Sequence, residues 1–142
     1  MESVVAGTPP DLLQDDFTVG TNEDWTRDWK LQNAGAAAKI QDGWKLYMQL
    51  QNAQNGGLAM TNSTDNQRLV VTDQDAGAYG LRVKAADADQ VPTGQYLYDI
   101  VLVTDVGIYR LVRGTITVEQ GITNVPGQDK WSHFPLILRP TT

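Results

Sequence analysis

Few residues in this chain have the type and spacing to carry a reaction. The one histidine, His133, directly follows Ser132, and two adjacent side chains cannot act as nucleophile and base while also holding an oxyanion hole. The 14 Asp and 3 Glu include no pair that spacing places across a cleft, as glycoside hydrolysis requires. Aspartates gather instead where turns are expected, at Asp65, Asp73 and Asp75, Asp87 and Asp89, and Asp105. An Asp-x-Asp spacing offers oxygens to a hard cation such as calcium. Aspartate also suits turns because it bonds its own backbone, and the full EF-hand ligand pattern is absent. The chain has no cysteine, which removes disulfides, thiolate zinc sites and a cysteine nucleophile together. The expectation is a non-enzymatic protein with no catalytic residue, no metal and no cofactor.

Binding is the remaining class of chemistry. Four tryptophans and five tyrosines are enough for a sugar-stacking platform, and a host-surface glycan is one candidate ligand. Trp25, Trp29 and Trp44, however, fall in strand patterns, where an aromatic more often belongs to the core. Asn62-Ser63-Thr64 matches a glycosylation acceptor, which has meaning only on a secretory route. A net charge of −6 with 11 scattered Lys and Arg argues against a nucleic-acid partner, since neutralising phosphates takes a basic patch. No apolar run approaches the ~20 residues that span a bilayer, so no membrane partner is expected. The N-terminus lacks a basic region followed by an apolar core, which points to synthesis in a cytoplasm.

The elements that would position any site are strands. Gly94 to Val118 reads as a β-hairpin, with apolar runs Tyr96 to Val103 and Ile108 to Val118 around a turn at Thr104 to Gly107. In the first run Tyr96, Tyr98, Ile100 and Leu102 share one face and Leu97, Val101 and Val103 the other, so both faces are expected to be covered, as in a central strand. Trp44, Leu46, Met48 and Leu50 alternate with Lys45, Tyr47, Gln49 and Gln51, a half-buried strand pattern. Further strands are expected at Phe17 to Val19, Leu58 to Thr61, Arg68 to Thr72 and Tyr79 to Val83, with one helical turn in Ala85 to Gln90, while Asp24 to Gln32 fits a strand or, by its charge spacing and the i, i+4 tryptophans, a helix. The fold class is all-β, an antiparallel sandwich of about seven to nine strands. Within it, Tyr96 after Val91-Pro92-Thr93-Gly94 has the look of an immunoglobulin-like tyrosine corner, and Gly94, Tyr96 and Tyr98 form the fold signature.

At 142 residues and 15.6 kDa the chain suits one core rather than two. The expected organisation is an N-terminal arm over 1–15, the sandwich over 16–118 and a C-terminal arm over 119–142. Trp131, Phe134, Leu136, Ile137 and Leu138 make the last segment too apolar for a free tail, since burying each is worth ~1.5 to 3 kcal/mol. They are the expected interaction residues, and Pro135 and Pro140 favour docking on a neighbour over forming a regular strand in their own sheet.

From about Asp16 to Val118 the chain resembles a group of tailed-bacteriophage virion proteins that includes the N-terminal domain of the upper baseplate protein of lactococcal phages. The likeness rests on Ile40-Gln41-Asp42-Gly43-Trp44, the turn Asp87 to Pro92, Gly94-Gln95-Tyr96-Leu97-Tyr98-Asp99-Ile100, and Arg113-Gly114-Thr115-Ile116-Thr117-Val118. The resemblance implies an immunoglobulin-like sandwich used as an assembly module, without catalysis. About 24 residues follow the domain, with no helical stalk, so the expected role is an accessory virion protein. It would be an adaptor at the tail, baseplate or fibre, or alternatively a decoration protein bound to the major capsid protein. A carbohydrate-binding module for host attachment is the alternative of another class. Expected partners are other virion proteins and further copies of the chain as a homo-oligomer, in a virion made in a host bacterial cytoplasm.

Overall fold

Alternating apolar side chains become alternating burial along Trp25–Lys30, Lys45–Asn52 and Gly94–Val103. The computed structural model describes residues 9–122. In chain order it places β1 (Leu13–Gln14), β2 (Phe17–Gly20), β3 (Trp25–Lys30), β4 (Gln32–Asn33), β5 (Ala36–Ala37), β6 (Lys45–Asn52), β7 (Leu58–Ser63), β8 (Leu69–Asp73) and β9 (Ala78–Val83). A single helical turn, α1 (Ala85–Ala88), then leads to β10 (Gly94–Val103) and β11 (Ile108–Glu119). The fold is all-β.

Two sheets share one core. The larger runs β7-β6-β10-β11, with β1 and β2 both along the free side of β11, and the smaller runs β3-β9-β8. Leu46, Met48, Leu50, Tyr98, Ile100, Leu102 and Ile116 of the large sheet join Trp25, Trp29, Tyr79, Leu81 and Val83 of the small one in a single buried cluster. Phe17 bridges the sheets, with its ring 6.2 Å from Trp29 and edge-on to Tyr98 at 5.6 Å.

The sheet pairing departs from the antiparallel expectation at one edge. β1 and β2 run parallel to β11, with Leu13 opposite Val112 and Phe17 opposite Ile116. A hairpin forces antiparallel pairing only on strands it joins, and β2 and β11 lie a whole domain apart in sequence. The expected arm boundary moves for the same reason. Pro10 is buried, the Asp11 amide donates to the Gln32 carbonyl, and β1 is hydrogen-bonded into the large sheet, so residues 10–15 belong to the folded body. At the other end, Glu119 still lies in β11, and residues 123–142 fall outside the described residues.

A β-bulge sets which residues of β11 face out. Ile100 pairs with Val112 but Val101 with Arg110, leaving Leu111 as the extra residue. Leu111 and Val112 are therefore both buried, and Arg110 emerges on the outer face beside Val101.

Candidate functional site

Of the turn aspartates, Asp65, Asp73, Asp75, Asp87 and Asp89 serve the backbone and nearby cations. Asp65 accepts from Lys45 Nζ at 2.8 Å and from the Tyr47 hydroxyl at 3.0 Å, and the Lys45 contact holds its carboxyl below the usual range. Asp73 caps the amide of Ala76, Asp87 lies 3.3 Å from Arg68 and Asp75 3.6 Å from Lys39. Asp89 accepts the Asn22 amide at 2.8 Å. Among the described residues no three His, Cys, Asp or Glu side chains gather as metal ligands do. His133 and Ser132 lie outside the described residues.

Among the described residues, Trp25, Trp29 and Trp44 do not form a shared platform. Trp25 is buried with Nε1 donating to the Gly20 carbonyl, and Trp29 is buried with Nε1 donating to Asp15. Trp44 is half-buried at one end of the sandwich, in an open concavity of about 670 Å³ that it lines with Gln41, Asp42, Lys45 and Asp105.

Sequence reasoning missed the polar latch around Asp15. Arg27 Nε and Nη2 donate to its two carboxylate oxygens at 2.9 and 2.6 Å, Trp29 Nε1 adds a bond at 2.8 Å, and the Tyr98 hydroxyl donates to the Asp15 carbonyl at 2.6 Å. The Arg27 guanidinium also sits 4.6 Å from the Phe17 ring centre. The Arg27 bonds hold the Asp15 carboxyl below the usual range despite its partial burial, and burial pushes the Tyr98 hydroxyl up. Asp16 accepts the Thr115 amide at 2.9 Å, which lowers its carboxyl too. The one available signal was Arg27 between Trp25 and Trp29 on a core-facing register, a cation that needs a partner. The latch fixes the link at Asp15 between β1 and β2, and it joins both sheets.

The three signature residues have separate duties. Tyr96 is buried and its hydroxyl donates to the Pro92 carbonyl at 2.6 Å, four residues upstream. Tyr98 serves the latch. Gly94 opens β10 at φ 144°, a region that favours glycine.

The surface with a shape for binding is the outer face of the large sheet. Here Leu97 lies between Gln51 and Thr115, Asp99 between Gln49 and Arg113, Val101 between Tyr47 and Arg110, and Val103 between Lys45 and Ile108. The inner face of β10 is buried as expected, but the outer one is not covered. Leu97 is 51% exposed, Ile108 69% and Leu58, across Gln51 from Leu97, 59%. The two neighbours of β10 lie in its own plane, and among the described residues no element packs over it. Leu97, Asp99, Arg110, Arg113 and Thr115 line a shallow groove of about 330 Å³ there, with Arg110 Nε 3.3 Å from Asp99. An apolar row flanked by charges of both signs has the make-up of a protein contact. The expected interaction residues Trp131, Phe134, Leu136, Ile137 and Leu138 lie outside the described residues. No protein-family model matches the chain, and no curated protein matches it.

Proposed function

We propose that this chain is a non-enzymatic assembly module of a tailed-bacteriophage virion, an adaptor at the tail, baseplate or fibre that contacts other virion proteins and copies of itself. The observation that carries this reading is the outer face of the large sheet, where Leu97 and Ile108 are exposed and Val101 and Val103 half-buried, on either side of Asp99. Monomeric proteins rarely leave a central strand apolar on an open face unless something docks there.

The strand order supports an immunoglobulin-like frame. With β3, β9 and β8 as strands B, E and D, and β6, β7, β10 and β11 as C, C′, F and G, both sheets follow the variable-type order. The hydrogen bond from Tyr96 at the start of β10 stands where the tyrosine corner of that fold does. The resemblance of its motifs to those of phage baseplate proteins, read from the sequence alone, is what points this frame toward a virion.

Particles purified from infected or induced cells that encode this chain test the proposal. Quantitative mass spectrometry should find the polypeptide at a fixed ratio to the tail proteins, in a few to a few dozen copies per particle. Hundreds of copies would assign it to the capsid as a decoration protein instead. Its absence from washed particles would overturn the virion reading altogether.

A further inference from the structure

We infer that the concavity around Trp44 is a saccharide-binding site, in which a pyranose ring stacks on the indole and its hydroxyls bond the polar groups beside it. The concavity is separate from the groove on the outer sheet face and shares no lining residue with it. Its walls are the Gln41–Trp44 turn that leads into β6 and the Thr104–Gly107 turn between β10 and β11, brought together by the pairing of Lys45 with Val103. At about 670 Å³ it falls in the size range of small-molecule sites. It is also open, as a site for one or two units of a longer sugar chain must be.

Trp44 differs from the other described tryptophans in what it leaves free. Trp25 and Trp29 are buried and spend their Nε1 donors on the Gly20 carbonyl and on Asp15. Trp44 continues the core-facing alternation of Leu46 and Met48 and packs against the core. It nevertheless stays half-buried, lines the concavity, and its Nε1 has no partner among the described residues. An indole that core packing already holds in place can take the apolar face of a sugar ring at little further cost in rotamer freedom.

The two turns set the polar groups. Gly43 at φ 85° fits the third position of a type II turn closed by the Trp44 amide on the Gln41 carbonyl. Asp42 in that turn is steadied by Gln74 Nε2 at 2.5 Å on one carboxylate oxygen, which leaves the other for a ligand. In the second turn the Thr104 hydroxyl oxygen accepts the Val106 and Gly107 amides, each at 3.1 Å, while the exposed Asp105 has no partner among the described residues. The Lys45 charge is met by Asp65 at 2.8 Å, and its ammonium keeps donors to spare. Donors at Trp44 and Lys45 thus stand with acceptors at Asp42 and Asp105 beside one aromatic surface. Sugar hydroxyls both donate and accept, so they use both kinds. A phosphate would meet two carboxylates, and an organic cation would meet a lysine and a single aromatic wall.

Nuclear magnetic resonance titration of the isotope-labelled full-length chain tests the site, with cellotriose, mannotriose and tri-N-acetylchitotriose as probes and choline as the cationic control. The indole N–H signal that disappears in Trp44→Phe identifies Trp44. It should move with at least one trisaccharide at about 10 mM, a level that saturates a millimolar Kd. Trp44→Ala should weaken that binding about tenfold or more, the scale of losing a central aromatic contact. Asp105→Ala should weaken it severalfold at an unchanged melting temperature, and it decides alone should Trp44→Ala not fold. A Trp44 signal that ignores all three sugars, one that answers to choline but to no sugar, or sugar affinity that survives these variants would each overturn the inference. None of these results bears on the assembly reading, which the particle count tests separately.

Discussion

Arg27 grips the Asp15 carboxylate through two nitrogens, Nε at 2.9 Å and Nη2 at 2.6 Å, and so ties strand β3 of the small sheet to the link between β1 and β2 of the large one. The pair is partly open to water, with side-chain exposures of 40% and 21%, which tempers its worth relative to a buried one. Asp15→Ala should cost about 1 to 2 kcal/mol, the range for hydrogen bonds to a charged group after solvent screening. Urea unfolding of Asp15→Ala, Arg27→Met and the double variant provides the check. Costs that simply add would mean the two residues do not act as one unit.

The same latch gives the stability an acid limb. The Asp15 carboxyl is held below its ordinary value when folded, so it binds a proton less readily in the folded than in the unfolded state. Its contribution is then complete above the unfolded value of about 3.9 and disappears as pH falls through the lower folded value. Unfolding free energies of the unaltered chain and of Asp15→Asn should differ at neutral pH and converge below about pH 4. A gap that stays constant down to the acid end would separate Asp15 from the acid limb.

Tyr96 tests the corner at the start of β10. Its ring is buried, and its hydroxyl has the Pro92 carbonyl as acceptor at 2.6 Å. Tyr96→Phe keeps the packing and removes one hydrogen bond, so it should cost about 1 kcal/mol. An unchanged urea midpoint would show that the bond adds nothing to stability.

Gly114 packs directly against the link between β1 and β2. A Cβ at this position would run into the Asp15 carbonyl oxygen, which also accepts the Tyr98 hydroxyl. Gly114→Ala should therefore destabilise by about 1 to 3 kcal/mol, as overpacking does. It should also raise hydrogen exchange at the amides of Asp15 and Thr115. If exchange rises only at the β10–β11 turn, the link does not depend on this contact.

The strands were legible in the sequence because each buries one face, and a period of two survives in the order of residues alone. Leu46, Met48 and Leu50, or Tyr79, Leu81 and Val83, announce their strands without reference to any neighbour. The hairpin turn at Thr104 to Gly107 and the corner at Tyr96 are legible for a related reason, since both are closed by residues at most four positions apart. Only the tertiary structure decided what joins across long separations. The pairing of Asp15 with Arg27, the hydroxyl of Tyr98 on the Asp15 carbonyl 83 positions away, and the parallel seating of β1 and β2 on β11 leave no periodic trace. The outer face of β10 shows the limit most clearly. Leu97, Val101 and Val103 read as covered because apolar residues usually are, yet whether a layer lies above a strand depends on where other elements fold, and here the described elements pack only beneath it.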